Sequence, residues 1–140
     1  MSHSVCITSS GRAVAFGHQD FGQCAVPALA DGERYVSASA GGLHTVCITS
    51  SGRAVAFGEQ DLSQCAVPAL AVGERYVSAS AGGDHTVCIT SSGRAVAFGD
   101  QNFGHCAVPA LADGERYVSA SAGLEHTVCI TSWGRAVACG

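Results

Sequence analysis

His85-Thr86-Val87-Cys88-Ile89-Thr90-Ser91-Ser92-Gly93-Arg94-Ala95-Val96-Ala97-Phe98-Gly99 decides the fold. Val87 and Ile89 fall on one side of an extended chain, and Thr86, Cys88 and Thr90 on the other. That period of two marks a strand. Ser91-Ser92-Gly93 is short and polar, and its glycine supplies the positive φ that tight hairpin loops use. Arg94 to Phe98 alternates again, with Val96 and Phe98 opposed to Ala95 and Ala97. The stretch is a β-hairpin that Gly99 ends.

Near copies begin at His3 and His44, and a more divergent copy begins at His126. The histidines stand 41 residues apart, so the chain holds about 3.4 repeats: units 3–43, 44–84 and 85–125 and a partial unit 126–140. A fixed period of this size signals a solenoid, propeller or array. Residues 1–140 are therefore expected to form a single repeat array.

The rest of the unit adds one strand. Asp100 to His105 is polar and reads as a loop. Cys106 to Leu111 is apolar, but Pro109 lacks a donor and makes it an extended segment or edge. Asp113-Gly114 is a turn, and Glu115 to Gly123 is the third strand. Its side chains are small after Val118, which suits a crowded position inside a tapering ring. Three strands per unit with no helical period give an all-β repeat array. The expected three-stranded units are Glu33–Gly58, Glu74–Gly99 and Glu115–Gly140, preceded by one that lacks its first strand.

Bulk properties narrow the function classes. Apolar residues are 47% of the chain and charged residues 13%, which excludes a disordered charged tail. Eleven acids face seven arginines, with no lysine, so nucleic acid is not an expected partner. No apolar run approaches the roughly 18–20 residues of a membrane-spanning helix. Met1-Ser2 enters the first repeat directly, leaving no room for a signal peptide, and an intracellular location (cytoplasm or nucleus) is expected. Seven of the eight cysteines follow the repeat, at Cys6, Cys47, Cys88 and Cys129 and at Cys24, Cys65 and Cys106; Cys139 stands where other units have phenylalanine. The short Cys pair of zinc sites is missing, and the thiols read as small buried hydrophobes. Disulfides and a metal are the alternatives.

Gly82-Gly83-Asp84-His85-Thr86, the Ile89-Thr90…Gly93 hairpin, and Val96-Ala97-Phe98-Gly99 with Gly104 resemble the repeat of the regulator-of-chromosome-condensation family. The resemblance implies a β-propeller, commonly seven-bladed. The short unit is similar to the three-stranded blades of the β-lactamase inhibitor protein II branch. Gln19, Gln60 and Gln101 replace the family's asparagine. Gln23 and Gln64 keep its glutamine where the third unit has His105, and Ser63 stands at the place of Gly104. The resemblance further implies a scaffold like those of exchange factors, ubiquitin-ligase modules and light receptors. Nothing matches an exchange-factor insertion, and the single Trp133 disfavours a light receptor.

A recurring histidine beside a glycine and a strand reads as a structural rung, and catalysis would need a nucleophile or carboxylate in register with it. His44, His85 and His126, with Gly52, Gly93 and Gly134, are the expected structural positions. No catalytic residue, cofactor or metal is expected. The units starting at His44 and His85 differ only in the loop after Phe57 or Phe98, at Val72 against Asp113, and just before the next histidine. Varied loops on a fixed frame are how binding surfaces are built. The candidate protein-binding residues are His18, Asp20, Phe21, Glu59, Asp61, Leu62, Asp100, Asn102, Phe103 and His105. The expected function is a non-enzymatic protein-binding scaffold with a protein partner. The alternative is a structural piece of a longer propeller, and an enzyme using Cys or His comes last. About 3.4 repeats do not close a ring, so a homo-oligomer or the remainder of a longer chain is expected to complete it, two chains bringing about seven repeats.

Overall fold

The computed structural model describes residues 2–100, 102 and 107–140. Among them lie eleven strands in four antiparallel sheets. β1 (His3–Ile7) and β2 (Ala13–Gly17) form a two-stranded sheet. Three complete blades follow in chain order. They are β3 (Tyr35–Ala40), β4 (His44–Thr49) and β5 (Ala54–Gly58); β6 (Tyr76–Ala81), β7 (His85–Thr90) and β8 (Ala95–Gly99); β9 (Tyr117–Ala122), β10 (Thr127–Thr131) and β11 (Ala136–Cys139). The fold is all-β, a run of propeller blades with no ring closed among the described residues. Counting repeats understates the blades: three units and a fraction make four sheets, so two copies would bring eight.

Each hairpin closes as its sequence dictates. Gly93 N–H donates to Thr90 O at 3.0 Å, the Arg94 amide reaches Thr90 Oγ1, and Gly93 takes φ +82°. Gly93 has a second reason to be glycine, since a Cβ there would stand 2.5 Å from Cβ of Arg116 in the next blade. Gly52 meets Arg75 in the same way. Gly134 keeps the conformation but has open space beside it.

The core lies between blades. The middle strands β4 and β7 are buried along their whole length. Ile48 packs forward onto Tyr76, Cys88 and Phe98 of the next blade, and Val87 and Ile89 pack onto Tyr117 and Cys129. Pro68 and Pro109 do not sit in edge strands. The segments around them are linkers that send Val67 and Leu70, then Val108 and Leu111, into the same joints. Tyr76 and Tyr117 hold these linkers by donating from their hydroxyls to Pro68 O and Pro109 O, at 2.7 and 2.6 Å.

The small residues of β3, β6 and β9 serve close approach, as the sequence implies. Gly42 N–H donates to Gly82 O and Gly83 N–H to Gly123 O, at 2.9 and 3.1 Å. Ser39 and Ser80 hydroxyls accept the Ala81 and Ala122 amides of the following blade. A Cβ on Gly41 would lie 2.5 Å from Gly82 O, so only glycine fits.

Among the described residues, Glu33, Glu74 and Glu115 form no ion pair with the arginine next to each in sequence. Glu33, Glu74 and Glu115 pair instead with Arg53, Arg94 and Arg135, twenty residues on, across the blade. Each guanidinium reaches both carboxylate oxygens. Ser51 and Ser92 also donate to Glu33 and Glu74. Trp133 takes the equivalent place in the last blade.

Candidate functional site

The loops after β2, β5 and β8 leave the blades beside the start of β1, β4 and β7. The pairing of His44 with Gly58 and of His85 with Gly99 sets this placement. His18, Glu59 and Asp100 amides donate to Ser2, Leu43 and Asp84 carbonyls, tying each loop to the residue just before the histidine that opens the same hairpin. Two of the three variable places in the repeat thus share one face of the array. The third does not: Val72, fully exposed, lies beside the hairpin turn of Ser91 and Ser92, at the other end of the blade.

These loops are locked from beneath. The Glu59 carboxylate accepts the Gln60 and Asp61 amides, both at 3.0 Å. Gln64, fully buried, accepts the Leu62 amide on Oε1 at 3.0 Å, and the Cys65 thiol donates to Glu59 O. Gln23 and Cys24 do the same for Phe21 and His18 O. Phe21 and Leu62 are each 40% exposed at the loop tips. His18 lies 3.5 Å from the Asp20 carboxylate and tilts against the Phe21 ring. Asp100 accepts the Asn102 amide. Phe103 and His105, also candidates, lie outside the described residues.

Beneath the loops runs a ladder of histidine and threonine. Nε2 of His3, His44 and His85 lies 2.7, 2.8 and 2.8 Å from Oγ1 of Thr45, Thr86 and Thr127 in the following blade. Thr45 and Thr86 give their one hydroxyl proton to Gln23 O and Gln64 O. The histidines below them must therefore donate from Nε2. Desolvation first, and then the neighbouring His85 and His3, hold His44 down at about 4. His44 and His85 are fully buried, whereas His126, which faces no further blade among the described residues, is exposed. Sequence reading did not single out Gln23 and Gln64, the buried residues that hold these loops to the joint. Their signal was a glutamine kept at one place in a variable loop.

The thiols sort by joint. Cys47, Cys88 and Cys129 are buried, and burial pushes them up to about 12, 12 and 11. Cys6 is exposed, its sheet facing no earlier blade among the described residues. Such raised thiols are poor nucleophiles. What the face offers is shape and charge. Asp20, Glu59, Asp61, Asp84, Asp100 and Glu125 belong to it, while all seven arginines follow the hairpin glycines or open the first strand of a blade, at the opposite end.

Stacked three-stranded antiparallel sheets joined middle strand to middle strand define a β-propeller array. Residues 76–104 match the regulator of chromosome condensation (RCC1) repeat. The other units repeat much of that stretch at the same spacing. Its fold is similar to human WBSCR16 (TM-score 0.80, 16% identity, 97% of this chain and 44% of that one). It is equally similar to yeast RCC1 (Prp20) in its structure with Kap60 (0.81, 20%, 99% and 40%). The ectodomain of the Physcomitrella patens receptor kinase CR4 also matches (0.73, 19%, 99% and 38%). The chain spans less than half of each. No curated protein matches the sequence, and no helix is long and apolar enough to cross a membrane.

Proposed function

We propose that this chain is a non-enzymatic protein-binding scaffold that engages its partner through the loops 18–23 and 59–64 and the loop beginning at Asp100. The observation that carries this reading is the gathering of variable residues on one face, over strands that are identical in the units starting at His44 and His85. Phe21 and Leu62 supply apolar anchors, the kind of residue that dominates interface energy when buried. The surrounding carboxylates, without an arginine among them, suit a basic surface on the partner. Another structure of yeast RCC1, Prp20p, describes binding to Gsp1p and histones, so propellers of this shape do bind proteins. The buried thiols of Cys47, Cys88 and Cys129 suit a reducing compartment, cytoplasm or nucleus.

The test is recovery of partners from lysate by the wild-type chain and by a variant with Phe21, Leu62 and Phe103 changed to Ala. Partners should be lost from the variant and kept by Val72→Ala on the opposite face. Equal recovery by all three defeats the reading. The alternative, a stretch of a longer propeller with no activity of its own, draws support from the two uncovered blade faces at the ends of the array.

A further inference from the structure

The two end faces of the array are the two halves of a joint that the chain builds three times internally. At each internal joint the forward face presents His, Val and Ile from the middle strand, and the backward face presents Thr, Cys, Val and Phe. Ile7 meets Cys47 and Phe57, Ile48 meets Cys88 and Phe98, and Ile89 meets Cys129. The last blade carries the forward set, His126, Val128 and Ile130, with His126 exposed and Ile130 38% exposed. The first sheet carries the backward set, Ser4, Cys6, Val14 and Phe16. Val14 and Phe16 are 39% and 56% exposed, whereas Phe57 and Phe98 are 7% and 5%. Ser4 stands at the place of Thr45 and keeps its hydroxyl.

We propose that the occupant of each end face is a second copy of this chain, docked head to tail. The imidazole of His126 then donates to Ser4 of the next copy, and Ile130 seats between its Cys6 and Phe16. This goes beyond the loop-face reading and uses none of its residues. A contact between unlike faces of identical chains is heterologous, and it closes a ring or propagates according to its rotation. Two copies joined at both ends would hold eight sheets, the upper end of the propeller range. The seam is thinner than an internal joint. It lacks the linker residues equivalent to Val67 and Leu70 and the strand equivalent to β3, so it is the reversible, concentration-dependent contact.

The experiment uses the 140-residue chain. Ile130→Cys places a thiol opposite native Cys6 of another copy, and oxidised glutathione serves as the two-electron oxidant for the bond between them. Covalent dimers or a ladder of multiples are expected, and they should vanish when Cys6→Ser is added. Independently, sedimentation of the unchanged protein should give a mass above 14.1 kDa that falls on dilution. Phe16→Asp, on a side chain already exposed in the single chain, should weaken that association at least about tenfold with the strand circular dichroism unchanged. A chain that sediments at its monomer mass at every concentration overturns the proposal. So do cross-links that persist without Cys6.

Discussion

The imidazole of His44 donates from Nε2 to Thr86 Oγ1 across 2.8 Å, although the two residues stand 42 positions apart in different sheets. The hydroxyl hands its own proton to Gln64 O, and the Gln64 side chain accepts the Leu62 amide. A buried joint and an exposed loop are thus one hydrogen-bonded chain. Thr86→Val keeps the shape but leaves the His44 N–H and the Gln64 carbonyl without that partner. Each buried orphan costs roughly 1–3 kcal/mol. The expected result is a destabilisation of at least about 1 kcal/mol in denaturant unfolding, with faster hydrogen exchange at the Leu62 amide. Unchanged exchange there would separate the loop from the ladder.

Acid should act in two windows. His44 is held well below its ordinary 6.5, so the folded state resists its protonation. Its contribution is complete above pH 6.5 and is lost as pH falls toward about 4. Glu33, Glu74 and Glu115 are lowered from 4.5 to about 2, chiefly by their arginine hydrogen bonds. Their contribution is complete above pH 4.5 and disappears on the way down to 2. Denaturant midpoints for wild type and Glu74→Gln should differ at pH 7, decline in parallel from 6.5 to 4.5, and converge below that. A constant gap down to pH 2 would rule out the pair as the source.

Ser63 adopts φ +63°, the left-handed conformation that Gly22 takes at the same place in the first loop. A non-glycine residue held there costs on the order of 1 kcal/mol. A side chain at Gly22 would meet nothing within 4 Å, so the conformation itself is the only penalty. Ser63→Gly is therefore expected to raise stability by about 0.5–1 kcal/mol, read as a higher midpoint with an unchanged denaturant slope.

Gly82→Ala should act in the opposite sense. Its Cβ would collide with Gly123 O in the next blade and stand 2.6 Å from Cε1 of His85. Overpacking of this kind costs typically 1–3 kcal/mol. Gly73→Ala, in a turn with open space, carries only the cost of positive φ, which Gly82 does not have. Equal losses at both sites would show that the blades separate easily at Gly82.

The strands and their faces were legible because alternation is local: Val87, Cys88 and Ile89 declare their sides within three residues. The hairpins were legible for the same reason, since Gly93 sits where the turn needs positive φ. Glu74 and Arg94 were not paired by inspection, because Arg75 is adjacent in sequence and Arg94 is adjacent only across the blade. The roles of Gln23 and Gln64 were hidden for a different reason. Their side chains face the loop and their carbonyls face the next blade, and no periodicity encodes both. His126 reads like its counterparts in sequence and differs only because nothing stands in front of it.

The glycine and histidine contacts between blades donate forward along the chain, while each serine hydroxyl accepts an amide from the unit ahead, and the same pattern recurs from joint to joint. No joint depends on its number in the series. A duplicated stretch of 41 residues would therefore arrive with both of its faces already fitted, and the gene could lengthen or shorten in whole steps without a compensating change elsewhere.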